Sequence, residues 1–149
     1  MKLANALAER AYLNAHLSEL RSRLEHNARY QEGETTAEDP YALLADMDQT
    51  LNKLEQLIAK INLVNSTTVK DGKTLTELLA KRDCLSLRLM TLKKFLDIAS
   101  SKINRYSKTE IPIRSSVSVK DLQKEVDKYS MELRQLDETI QELNCTTEF

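Results

Sequence analysis

The sequence predicts an all-α protein, an antiparallel up-down-up-down bundle of four long helices. Three observations predict it. Apolar residues recur every three or four positions through four long stretches, as in Leu44, Met47, Leu51, Leu54, Ile58 and Ile61, or in Val119, Leu122, Val126, Tyr129, Leu133, Leu136, Ile140 and Leu143. That spacing marks helices lying nearly parallel to their neighbours. Only two Gly and two Pro occur in 149 residues, too few for a chain rich in turns. The connections between the stretches are short, which favours antiparallel neighbours. The length suits one domain, residues 1–149, with a continuous core.

The first helix is predicted from about residue 2 to residue 30, on a seam of Leu3, Ala6, Arg10, Leu13, Leu17, Leu20 and Leu24. Gly33 and the polar run that follows it end this helix. Asp39-Pro40 opens the second helix: Asp suits the N-cap, and Pro suits the first turn because its missing N–H is not needed there. That helix is predicted to last until about residue 68. Asp71-Gly72 reads as a tight turn, and Thr74-Leu75-Thr76-Glu77 as a capping box. The third helix then runs to about residue 106 on Leu75, Leu78, Arg82, Leu85, Leu89, Leu92, Leu96, Ala99, Ile103 and Tyr106. Residues 110–117 alternate in character and contain Pro112, so a short extended segment is predicted there, at most an edge strand. Ser118 with Asp121 opens the fourth helix, which ends near Asn144.

A repeat runs through this order. Arg29-Tyr30 with Glu34 is echoed by Arg105-Tyr106 with Glu110, and Asn65-Ser66-Thr67-Thr68 by Asn144-Cys145-Thr146-Thr147. The chain therefore reads as two helical hairpins, 1–70 and 73–147, as a duplication would leave them.

Composition limits the functional classes. With 22 basic and 23 acidic residues the formal charge is −1, which gives no general attraction to nucleic acid or anionic lipid. No transmembrane segment is expected, because no apolar run approaches the ~18 residues a span needs. Glu9 and Arg10 interrupt the N-terminal apolar run before a signal-peptide core is complete, so a cytoplasmic location is expected. Cys84 and Cys145 are too few for a disulfide framework and are expected as free thiols. Glu-x-x-His pairs, His-Glu-x-x-His, Cys-x-x-Cys, Walker A and Gly-x-Ser-x-Gly are all missing. The sequence leans away from catalysis, and no catalytic residue, metal or cofactor is expected. His16 falls between seam positions and is expected to be partly exposed, and His26, beside Glu25, sits in a charged stretch; each is expected as a surface residue rather than a ligand or base.

Two sets of residues depart from the simple pattern. Arg10 and Arg82 occupy seam positions, as does Asn65, with Asn62 a turn away. In an up-down bundle these fall at one end, in a layer with Asp137 and Gln141. Such a layer is either a register-fixing polar network or a site for a small anion, which two guanidinium forks hold well. Second, two helices are apolar on the side away from the seam. Ala4, Ala8, Ala11 and Ala15 form a small-residue stripe beside Tyr12, and Cys84, Leu87, Met90 and Ile98 lie off the Leu seam of the third helix. Helix four has a polar back instead. A helix apolar on two sides points to a subunit interface, so a homo-oligomer is expected.

The ordered set Arg29-Tyr30-Gln31-Glu32-Gly33-Glu34, Asp39-Pro40, Ile61-Asn62 with Asn65, Asp71-Gly72 with Thr74-Leu75-Thr76-Glu77, Arg82-Asp83, and Gln141-Glu142 with Asn144 and Thr146 resembles the septicolysin-like family of small, uncharacterised, mainly bacterial proteins. The resemblance covers nearly the whole chain. The family pattern has an aromatic where this chain has Cys145. The family name implies a cytolysin, but the resemblance supplies no catalytic residues. Three functional expectations follow: first a non-enzymatic, self-associating interaction or scaffold protein, then a small-anion binder, and third a membrane-active lysin.

Overall fold

A computed structural model describes residues 1–101 and 111–149. The described residues form four helices and one two-stranded sheet: α1 (Leu3–His26), α2 (Pro40–Thr67), β1 (Val69–Lys70), β2 (Lys73–Thr74), α3 (Leu75–Ser100) and α4 (Val119–Thr146). The all-α expectation holds in this coarse form. Ile103, Arg105, Tyr106 and Glu110, which carry the predicted end of helix three and half of the repeat, lie outside the described residues.

The chain folds as two compact units, Met1–Leu75 with Leu143–Phe149, and Thr76–Glu142. In the first, α1 packs against α2. The pair is antiparallel, because His16 faces Asp46 while Arg23, seven residues on, reaches back to Glu38. Asp39 caps α2 as expected, its Oδ1 accepting from the Tyr41 N–H at 3.0 Å, with Pro40 in the first turn.

Helix α1 ends four residues earlier than its periodicity predicts. The cause is Asn27, only 6% exposed. Its amide Nδ2 donates to the Arg23 carbonyl at 2.8 Å, and its Oδ1 accepts from the Glu38 N–H at 2.9 Å. One side chain thus satisfies a carbonyl in the last turn and ties down the loop that follows.

The core line of α2 also differs from the expected seam. Leu43, Thr50, Leu54 and Ile61 are buried, whereas Leu44, Leu51 and Ile58 are 41%, 44% and 38% exposed. The buried residues are spaced seven, four and seven apart and include Leu54 and Ile61 of the expected seam, while Leu44, Leu51 and Ile58, each seven apart, lie to one side of that line. Thr50 enters the buried line at little cost because its hydroxyl donates to Asp46 Oδ1 at 3.3 Å.

The Asp71-Gly72 turn closes a hairpin that pairs Val69 with Thr74 and Lys70 with Lys73. Positive φ at both residues, 52° and 76°, is the geometry of a primed turn, which matches strand twist. The same bonding recurs where the chain ends meet. Lys2 pairs with Glu148 as Thr74 pairs with Val69, and the Leu3 N–H donates to the Thr147 carbonyl (3.0 Å) as Leu75 donates to Thr68 (2.8 Å). Thr68 and Thr147 in turn donate to Val64 and Leu143, each at 2.9 Å. Equivalent residues of the two predicted repeats therefore make equivalent backbone bonds.

In the second unit Leu89, Leu96, Leu122 and Val126 form a core with Leu92, Val119, Tyr129 and Leu133 packed against it, and α3 and α4 run antiparallel there, since Lys81 meets Glu132 while Arg88, seven residues on, reaches back to Tyr129. Ser118 caps α4, its Oγ accepting from the Asp121 N–H at 3.3 Å. The described part of the predicted extended segment, 111–117, forms no strand.

Candidate interaction surfaces

The α1–α2 hairpin has one polar side and one apolar side. His16 and Arg23 are seven residues apart and flank the core line of α1 on one side. His16 Nε2 lies 3.3 and 3.2 Å from the two Asp46 oxygens, and the Tyr12 ring stacks on the imidazole with centroids 6.3 Å apart. His16 is partly exposed, as its place between seam positions suggested, and it bridges the two helices. Arg23 Nε donates to both Glu38 oxygens, at 3.2 and 3.1 Å. The Thr50 hydroxyl also donates to this carboxylate, at 3.3 Å. Among the described residues no group of three His, Cys, Asp or Glu is placed to hold a metal ion.

Charge pairing is expected to make both units acid-sensitive. The hydrogen bond from Arg23 holds the Glu38 carboxyl below its ordinary pKa against the opposing effect of burial. Lys2, hydrogen-bonded to Glu148 across the chain ends, does the same for that carboxyl. In the second unit the Lys81 ammonium, 2.8 Å from Glu132, lowers a third. Folding that depresses a carboxyl pKa means the unfolded chain takes up the proton first. The stabilisation is complete above the ordinary carboxylate range near ~4.3 and is lost as pH falls through the folded-state values. Thermal melts are expected to show Tm falling below about pH 4.5, with Glu38→Gln flattening that limb and leaving the neutral-pH slope unchanged.

The other side of the hairpin is apolar and open. Leu17, Leu24, Met47 and Leu51 line a groove with Arg21 and Glu25 at its rim. A second groove, sharing Leu51, continues along Leu54, Ile58 and Ala59 with Glu55 and Asn62. Sequence reasoning missed this surface because it assigned Leu44, Leu51 and Ile58 to the core.

In the second unit α3 buries Leu85, Leu89 and Leu96 and leaves Leu87, Met90 and Ile98 exposed at 59%, 63% and 65%. At 100° per residue Leu87 and Ile98 point almost directly away from the core, with exposed Cys84 on the same side and Met90 at its edge. Phe95 and Ile98 also line a cavity of about 300 Å³ with Ile113 and Arg114. Lys81, Cys84, Arg88 and Tyr129 line a smaller groove, where the Arg88 guanidinium sits 4.8 Å from the Tyr129 ring centroid. On α1, Ala8, Ala11, Ala15 and Tyr12 are exposed and Ala4 is half-buried.

The predicted polar layer is divided between the units. Arg10, Asn62 and Asn65 belong to the first; Arg82, Asp137 and Gln141 belong to the second. Arg10 and Asn65 are half-buried, and Asn62 opens to the groove beside Glu55. Arg82 is held by its neighbour Asp83, with Nε and Nη2 donating to Oδ1 at 3.1 and 2.8 Å. Asp137 and Gln141 are exposed. Cys84 and Cys145 are free and exposed. Among the described residues no helix is long and apolar enough to cross a membrane.

No curated protein matches the chain. A crystal structure described as a functionally unknown conserved protein from Corynebacterium diphtheriae is similar over 100% of this chain and 98% of its own, with 35% sequence identity and a TM-score of 0.93. The profile of a family of unknown function, DUF6847, matches residues 10–149. The chain belongs to the DUF6847 family, whose function is unknown.

Proposed function

We propose that this protein is a non-enzymatic helical scaffold that associates with itself, and that the outer face of α3 is one of its joining surfaces. The observation that carries the reading is the exposure of Leu87, Met90 and Ile98 on the side of α3 opposite its buried leucines. Three large apolar side chains on one helix face keep an unfavourable contact with water that burial against a partner removes, at about 25 cal/mol per Å². The four helices take the up-down-up-down order, a reading supported by the antiparallel run of each hairpin. Two free exposed thiols suit a reducing compartment, which supports a cytoplasmic location.

Size-exclusion chromatography with light scattering tests this on the full chain. The expected mass is a multiple of 17.1 kDa. Leu87→Asp is expected to lower the mass while leaving helical content by circular dichroism unchanged, because Leu87 supports no core contact. A wild-type monomer at high protein concentration overturns the reading. An unchanged mass for the variant removes α3 from the interface.

A further inference from the structure

We infer that the chain is a tandem of two helical hairpins whose ends seat reciprocally, and that its two junctions are interchangeable. The covalent link at Asp71-Gly72 is then dispensable once an equal link joins residue 149 to residue 1. This inference is independent of self-association.

The first argument is positional. Where α3 starts against the end of α2, Val69 faces Thr74, Lys70 faces Lys73, and the Leu75 N–H donates to the Thr68 carbonyl at 2.8 Å. The start of α1 meets the end of α4 in the same order. Glu148 faces Lys2, the Phe149 N–H donates to the Met1 carbonyl at 2.7 Å, and the Leu3 N–H donates to the Thr147 carbonyl at 3.0 Å. Both junctions lie within the first unit. Each hairpin gives its end to the start of the other, which is the reciprocity of an isologous contact between two copies. Burial follows the same correspondence. Leu3 and Leu75, the first residues of α1 and α3, are both 0% exposed. Ile61 and Ile140, each seven residues before the paired threonine, are 1% and 2% exposed.

The second argument is what holds the junction that has no peptide bond. At the first junction Asp71 and Gly72, both at positive φ, turn the chain from Lys70 back to Lys73. Phe149 stands where Lys70 stands and Met1 where Lys73 stands, so two residues span the second gap as they span the first. Side chains hold that gap in place of a turn. Lys2 Nζ pairs with Glu148 and donates to the Thr146 carbonyl at 3.1 Å. The Lys60 ammonium of α2 lies 4.2 Å from the centre of the Phe149 ring. Exposed ion pairs add little by themselves. The backbone bonds and the buried Leu3 therefore carry the junction, and the opposed charges favour its register.

A circular permutant that keeps every residue of the chain tests this. Asp-Gly joins Phe149 to Met1, and the new ends are placed between Asp71 and Gly72. It is expected to keep the helical content of the natural chain by circular dichroism and to melt in one cooperative transition, with Tm within about 5 °C of the natural value. A second permutant with the same link, opened between Lys53 and Leu54 inside α2, is expected to lose that transition. Equal melting of the two permutants overturns the inference, because tolerance is then not a property of the junction. A further measurement serves if the first permutant fails to fold: a protease site inserted between Asp71 and Gly72 of the natural chain is cut after folding. The two pieces are expected to elute together at the mass of the uncut protein. Pieces that separate overturn reciprocal seating. Pieces that stay together while the permutant fails overturn the interchange of junctions.

Discussion

Ile61→Ala is expected to destabilise the protein by about 2–5 kcal/mol, and Ile58→Ala by less than about 1 kcal/mol in folding free energy. The two residues lie three positions apart on α2 and are chemically identical. They differ in what covers them: Ile61 is 1% exposed and Ile58 is 38% exposed. Truncation at Ile61 removes buried methyl groups and leaves a cavity between helices that cannot fully collapse. Truncation at Ile58 removes surface that water already reaches. Urea unfolding followed by circular dichroism measures both. Equal losses would show that the buried line of α2 is not Leu43, Thr50, Leu54 and Ile61.

This contrast also marks where sequence reading stops on α2. Periodicity shows that the helix has a wide apolar stripe, but not which part of it is covered. Preference for Leu over Thr selects Leu44, Leu51 and Ile58. The fold covers Leu43 and Thr50 instead, because α1 supplies His16 opposite Asp46, and Asp46 in turn accepts the Thr50 hydroxyl. A polar residue becomes a core residue through a partner thirty positions away, which no local pattern carries. By contrast, local chemistry was readable wherever its partners are close in sequence. Asp39 and Ser118 cap their helices, and Asp71-Gly72 forms the turn its dipeptide predicts. The likeness of Asn65-Ser66-Thr67-Thr68 to Asn144-Cys145-Thr146-Thr147 was readable, and Thr68 and Thr147 make equivalent backbone bonds. On α3 the exposed positions of Leu87, Met90 and Ile98 followed from simple angular bookkeeping, because its Leu seam is a single line.

Asn27→Ala is expected to cost about 1–3 kcal/mol and to weaken the acid limb of the stability profile at the same time. The first effect follows from satisfaction. The side chain is 94% covered, the complement of its 6% exposure, and its amide fills two needs at once: the Arg23 carbonyl and the Glu38 N–H. Ala keeps the backbone N–H bond to the Arg23 carbonyl but leaves the Glu38 N–H without its acceptor, and an amide hydrogen without an acceptor retains its desolvation cost. The second effect follows from position. Asn27 holds the backbone of Glu38, whose carboxylate receives the Arg23 guanidinium. Releasing that backbone loosens the pair and returns the Glu38 pKa toward its ordinary value, so less stability is lost as pH falls. Asn27→Asp separates the two roles. Its oxygen still accepts from Glu38, but it no longer donates to Arg23, and it places a negative charge at the carbonyl end of α1, where the helix dipole disfavours it. Asp is therefore expected to restore little of the lost stability at neutral pH. A neutral-pH stability within about 0.5 kcal/mol of wild type for Asn27→Ala would show that water replaces both bonds, and that α1 ends at His26 for another reason.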